Sequence, residues 1–324
     1  MPAQQNNPAL SRLREAAFAT KTFPFAGIAS APVSWGIMES CEFPPEYPYT
    51  RVLDEISKAG FSGTELGPYA FYPTDPARLR SELQQRGLIL CSAFVDIPLA
   101  DGDAFTEVLD QVSRTAELIS SAGARILVLS DRLVPERSRT AGRPQEAKAL
   151  SWSDSEWNVA AETIRQVVLR CRRYGLEVAF HHHAGTHVET PQEIERLLSL
   201  LQPDELGLCF DTGHFVFCGG DDPDAFVRKH GARIRWLHLK DVDTARAREA
   251  RQQKLDFHAA VRHGIFAPLG HGTIDFGRLL TRVREAGYKG WVVVEQDVLP
   301  GGSGAETPLS NATAAREFLR ALGL

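Results

Sequence analysis

The chain has 324 residues, 43% of them hydrophobic, enough for a sizeable core and an ordinary length for an α/β barrel with loop insertions. Its formal net charge of −5, without a long basic run, argues against nucleic acid or an anionic membrane surface as a partner. No early stretch has a signal-peptide core, no later one reads as a bilayer span, and the 5 cysteines lack CxxC spacing, so the expectation is a cytoplasmic protein with reduced, mostly buried thiols.

Residues 1–25 read as a polar lead-in with a short helix over 8–19. AGIASAPVSW, 26–35, is the first predicted strand, and TRVLDEISKAG follows with helical spacing and Gly60 as its stop. GTELG, 63–67, is a short strand. PARLRSELQQRG is a helix opened by Pro76 and closed by Gly87. LILCSAFVD is the third strand, the next helix runs to Gly123, and RILVLSD is the fourth strand. Residues 132–152 are polar with proline and glycine, and are expected to form an active-site loop or a partly ordered insertion.

A helix capped by Ser153 or Asp154 leads to LEVAFHHHAGTHVET, 176–190, then to a helix capped by Thr190. LGLCFDTGH and RWLHLKD are the sixth and seventh strands, separated by the helix PDAFVRKHGARI. After an excursion over 242–274, DFGRLLTRVREAG, GWVVVEQD and TPLSNATAAREFLRALG complete the alternation. Strict strand–helix alternation predicts a parallel sheet, and eight units favour a closed (β/α)8 barrel, a TIM barrel, as a single domain over 26–324.

Barrel chemistry gathers at the carboxyl ends of strands. Here those ends carry Trp35 and Glu39, Glu65, Asp96, Asp131, His181 and His183, Asp211 and His214, His238 and Lys240, and Glu295 and Asp297. Strand alternation puts His181 and His183 on one face and His182 on the other. So many carboxylates and imidazoles at one rim call for a compensating cation or shared protons. A divalent metal is the economical answer, and mixed imidazole and carboxylate ligands suit Mn²⁺, Co²⁺, Zn²⁺ or Fe²⁺ better than calcium. Taken singly, each residue has a plain structural reading. Asp211 can cap the turn that follows it, and His238 can be a hydrogen-bonded core histidine. Phosphate binding by PLGHG is weakly signalled, since no lysine or helix-opening hydroxyl supports it, and the glycines read as turn residues near the pocket mouth. The basic run Arg246, Arg248, Arg251 and Lys254 reads as a solvated helix face.

At these residues the chain resembles the xylose-isomerase-like barrel superfamily of sugar isomerases, epimerases and dehydratases, over about residues 26–323. Asp211 in DTGH, His238 in HLKD and Glu295 in VVVEQD match three of that superfamily's metal ligands. The glutamate expected on strand five is replaced by His181, which takes its place as fourth ligand, with His183 as the fallback. Within the superfamily the chain is similar to the inosose (2-keto-myo-inositol) dehydratases. PVSWG at 32–36, ELGPYAFYP at 65–73, HHHAGT, DTGH, HLKD and FHAAVRHGIFAPLGHG at 257–272 carry that likeness.

The resemblance implies a hydro-lyase of inositol catabolism that removes water from a cyclic polyol ketone through an enolate. Its metal would be Mn²⁺ or Co²⁺ first, then Mg²⁺, Zn²⁺ or Fe²⁺. Under that implication His183 and His214 shuttle protons, and Lys240 stabilises the enolate or binds a hydroxyl. Glu65 orients hydroxyls or acts as base, while Trp35, Tyr69 and His271 contact substrate. Pairing of barrels into a homo-oligomer is a further expectation. Competing readings are a metal-dependent 3-epimerase or isomerase of a ketose, and a lyase acting on 3-keto-glycosides. A nuclease like endonuclease IV would need a basic face, and a barrel without catalysis would lack a metal.

Overall fold

The computed structural model describes residues 25–38, 45–299 and 307–324. The expected helix over 8–19, Glu39 and Cys41 lie outside the described residues. Eight parallel strands close into a barrel: β1 Gly27–Ser30, β2 Gly63–Glu65, β3 Ile89–Ile97, β4 Ile126–Asp131, β5 Glu177–His181, β6 Gly207–Asp211, β7 Ile234–Leu239 and β8 Trp291–Val294. Each strand pairs with its neighbour in the chain, and β1 closes on β8 through Gly27 opposite Trp291 to Ser30 opposite Val294.

The helices bury the apolar stripes that the sequence spacing dictates. Tyr49–Ala59 turns Val52, Leu53, Ile56 and Ala59 inward and stops at Gly60, whose φ of 91° favours a residue without Cβ. Asp154–Arg172 starts from a capping box in which Ser153 and Glu156 satisfy each other's backbone N–H groups. Thr190 and Glu193 do the same for Pro191–Leu200.

Inside the barrel, small side chains (Ala29, Cys91, Val128, Ala179, Cys209, Val293) surround Trp236 of β7, which is 2% exposed and fills the centre. Cys91, Cys171, Cys209 and Cys218 are buried free thiols. Among the described residues no helix is long and apolar enough to cross a membrane.

One stretch departs from its expected form, and two take forms that the sequence spacing left open. The first strand ends at Ser30, because Pro32 has no N–H for a ladder and opens a 3-10 turn, Pro32–Trp35, closed by Gly36 at φ 77°. Residues 132–152 are ordered, with short helices at Pro135–Ser138 and Pro144–Ala147. Their anchor is Arg137, fully buried, which donates to Thr186 O (2.7 Å), Ala147 O (2.6 Å) and both oxygens of Glu193 (2.9 and 3.0 Å).

The excursion after β7 holds helices Thr244–Gln252 and Phe257–Arg262 and an antiparallel pair, Asp241–Val242 with Phe266–Ala267. Its PLGHG turn wraps the Asp241 carboxylate, which accepts from Gly270 N, Gly272 N and Ile274 N, so its amides serve the chain's own anion. In the basic run, Arg251 is not a free surface group. It donates to Gly142 O (2.8 Å) and Phe217 O (2.7 Å), tying the excursion to the insertion.

Candidate active site

Alternation along the strands brings inward residues to one rim of the barrel. β5 ends in His181, β6 in Asp211, β7 carries His238, and β8 runs into Glu295. One ligand atom from each of these four lies within 4.8 Å of the others, and all four residues are buried. His181 Nε2 is 3.5 Å from Asp211 Oδ2, and His238 Nδ1 is 3.2 Å from Glu295 Oε2 and 3.7 Å from Asp211 Oδ2.

Asp211 divides its work between its two oxygens. Oδ1 accepts from Gly213 N (2.8 Å) and His214 N (2.9 Å), capping Thr212–Phe217. Among the described residues Oδ2 is buried without a hydrogen-bond partner, and so is His238 Nδ1. Two buried polar atoms without a hydrogen bond, set among imidazoles and carboxylates, are what a divalent cation satisfies, so the residues present fit a metal. His181 belongs to this set, while His183 falls in a second cluster with His214 and Asp297 whose ligand-type atoms also lie within 4.8 Å of one another.

Behind the set stands a supporting layer. His238 Nε2 is 3.0 Å from Glu65 Oε1, which also accepts from Trp236 Nε1 (2.7 Å) and Ser92 Oγ (2.8 Å). A register shift between β2 and β3 places Glu65 opposite Ser92 and allows the last of these bonds. His182 faces away, as alternation requires. Its Nε2 accepts from Asp211 N (3.3 Å), and burial pushes its pKa down to about 3, keeping it neutral.

Beside the set lies a proton-bearing group. Lys240 Nζ is 2.6 Å from Asp297 Oδ1, 3.2 Å from Glu295 Oε2, 3.5 Å from Asp211 Oδ2 and 3.0 Å from His214 Nε2. Burial opposes the ammonium, but Asp211, Asp297 and Glu295 outweigh it and hold Lys240 protonated above its usual range. Glu295 is likewise held down at about 2, against burial, by His238 and Lys240. The His183 and His214 rings lie 3.9 Å apart between centroids, and burial pushes both well below the usual imidazole range. His183 Nδ1 faces the Ala184 carbonyl at 2.8 Å. A carbonyl only accepts, so Nδ1 carries the proton and Nε2 keeps its lone pair.

Most of these groups line one cavity at the rim of the barrel. Its wall includes Glu65, His181, His183, His214, His238, Lys240, Glu295 and Asp297, with Val33, Ile37, Met38, Phe94 and Leu133 as an apolar side. Trp35, Tyr69 and His271 are not among the lining residues. The 3-10 turn swings Trp35 outward, where Nε1 donates to Glu55 Oε2 (2.7 Å). Tyr69 is 39% exposed beneath the Arg114 guanidinium, and His271 is exposed at the tip of the Asp241-wrapping turn.

Asp96, Asp131 and Asp297, placed at the rim by the sequence but given no role there, all line the cavity. Asp297 had a usable signal, because it lies two residues past Glu295 and shares its face.

Comparison with known proteins places this architecture. Residues 53–322 match the family described as xylose isomerase-like TIM barrel. The chain is 31% identical over 292 residues to the inosose dehydratase of Geobacillus kaustophilus, covering 90% of this chain and 93% of that protein. It is 35% identical over 292 residues to the rhizopine catabolism protein MocC of Rhizobium meliloti, covering 90% and 87%. Among solved structures, the probable 3-DHS dehydratase AsbF of Bacillus anthracis superposes with a TM-score of 0.66 at 15% identity, covering 92% of this chain and 98% of that one, a likeness of fold.

Proposed function

The chain belongs to the xylose isomerase-like TIM barrel family and to its inosose dehydratase branch, a premise from which we infer that it is a hydro-lyase removing water from a cyclic polyol ketone. The observation that carries this reading is the pairing, in one cavity, of a buried metal-type quartet with an adjoining chain of proton-bearing side chains.

His181, Asp211, His238 and Glu295 would hold a divalent cation, Mn²⁺ or Co²⁺ by preference, and the chemistry such an ion supplies when bound is Lewis-acid polarisation of the ketone. Everything else falls to the chain. His183, with its lone pair on Nε2, removes the proton from the carbon between the ketone and the departing hydroxyl. The electron pair of that C–H bond forms the new double bond, and the C–O bond on the next carbon breaks. The Lys240–Asp297 pair, 2.6 Å apart, protonates the hydroxyl, which leaves as water. His183 then carries one proton too many and the Lys240–Asp297 pair one too few. Exchange with solvent in the cavity restores both, and His214, its ring packed 3.9 Å from that of His183 and its Nε2 3.0 Å from Lys240 Nζ, holds the two groups side by side. Glu65 fixes His238 instead of acting as base. The enol product rearranges to a dione.

The deciding experiment is turnover of 2-keto-myo-inositol by the purified protein, followed as ultraviolet absorbance of the dione. EDTA should abolish product formation and Mn²⁺ or Co²⁺ should restore it. A protein that binds metal and exchanges the α proton with solvent without losing water would be an epimerase or isomerase instead.

A further inference from the structure

Two carboxylates in the cavity, Asp96 and Asp131, belong neither to the metal-type set with its Glu65 support nor to the proton chain. Asp131, at the end of β4, is 3% exposed and lines the cavity. Among the described residues no lysine or arginine pairs with it, and its single ion-pair partner is His187. Its oxygens are unequally occupied. Oδ2 lies 3.0 Å from His187 N, which donates to it, and 3.1 Å from His187 Nδ1. Among the described residues Oδ1 takes only the Leu99 N–H, at 3.4 Å. Each carboxylate oxygen accepts two hydrogen bonds, so Oδ1 keeps an acceptor site on a carboxylate whose position the backbone fixes. The His187 ring is in turn stacked on Trp152 of the insertion, with centroids 4.7 Å apart and planes 14° from parallel. β4 pairs with β5 through Ser130 opposite His181, so Asp131 sits one strand away from the metal-type set.

We propose that Asp131 determines specificity, accepting a hydrogen bond from a ring hydroxyl remote from the reacting carbonyl, with His187 as the positioning residue that holds its carboxylate. The proposal rests on the polyol-ketone reading and identifies which part of the polyol the pocket selects. A buried carboxylate only accepts, so a ring that is deoxygenated or capped at that carbon leaves it unpaired, and a site of this kind discriminates strongly against such rings. Asp96 on β3 lines the same wall, but its Arg132 partner is largely exposed and 3.4 Å away, so its carboxylate is less rigidly held.

The test compares 2-keto-myo-inositol with 2,3-dihydroxycyclohexanone, which keeps the ketone, the acidic C–H and the departing hydroxyl but lacks the remote ones. Asp131→Asn should lower kcat/KM for the full polyol by about 10- to 100-fold, mostly through KM, and leave the dihydroxyketone unchanged. His187→Ala should raise KM for the polyol alone, and His187→Asn, whose amide can replace the Nδ1–H donor, should recover most of the loss. Unchanged turnover of the dihydroxyketone certifies that each variant is folded.

Equal losses on both ketones, or no loss on the polyol, would overturn the assignment. If wild-type protein turns over neither ketone, the hydro-lyase reading fails by itself. Calorimetric binding of the polyol then decides the Asp131 assignment: weaker binding to Asp131→Asn sustains it and equal binding ends it.

Discussion

His238 presents one ring nitrogen to Glu65 at 3.0 Å and the other to the metal-type set, where Nδ1 is 3.2 Å from Glu295. Glu65 therefore holds the His238 ring in place, the task of a residue one step behind the ion if the proposed metal is bound there. Glu65→Gln should weaken Mn²⁺ affinity by about 10- to 100-fold, measured by calorimetry, with kcat largely regained at saturating metal. A kcat that stays depressed at saturating metal would restore Glu65 to the role of base.

The two oxygens of Asp211 can be separated by mutation. Asp211→Asn keeps an oxygen able to cap Thr212–Phe217 and should lose most bound metal at little cost in stability. Asp211→Ala should lose the metal and also about 1 kcal/mol of stability from the missing cap. Metal content by mass spectrometry and urea unfolding of metal-stripped protein, read together, check both halves.

His183 lies outside the metal-type set, so its loss should leave metal content intact. His183→Ala is expected to lower kcat by about 10²- to 10⁴-fold, the range for a missing general base. Loss of metal from this variant would instead make His183 a ligand.

Glu189 supplies a pH dependence remote from the metal-type set. Burial pushes its carboxyl up to about 8, although Arg137, 3.4 Å away, pulls the other way. That guanidinium is engaged by both oxygens of Glu193. The folded state therefore binds a proton that the unfolded chain releases at the ordinary carboxyl value. The stability from this group is fully present below that ordinary value and is lost as pH rises through about 8, at up to about 1.4 kcal/mol per pH unit. Glu189→Gln imitates the protonated form, so its advantage over wild type in urea unfolding should grow from pH 5 to pH 8. A constant difference across that range would mean that Glu189 is ionised throughout.

Much of this site could be read from the chain. Polar residues at the carboxyl end of an apolar strand stand out in the sequence, with Asp211 closing GLCFD, His238 one residue from the end of IRWLHL and Glu295 following WVVV. The two-residue period gave His181 and His183 one face and His182 the other, as the cavity has them. What the sequence hid were turns and partnerships. Pro32 bends the chain before Trp35 can point along a strand. Ala70, at φ 73°, turns the segment that displays Tyr69 to solvent. The glycines around His271 are arranged about Asp241, a residue of another segment. Arg137 orders the insertion through contacts 49 and 56 residues away along the chain, a relation that no local pattern reports.

Trp236 fills the middle of the barrel and donates from the same ring to Glu65. Two kinds of selection therefore meet in one side chain. A smaller residue there would open a void at the centre and at the same time release the carboxylate that steadies His238. For anyone redesigning the enzyme toward other substrates, the layer around Trp236 is the part to leave alone. The apolar wall of Met38, Phe94 and Leu133 and the acceptor at Asp131 are where the pocket can be reshaped without disturbing its foundation.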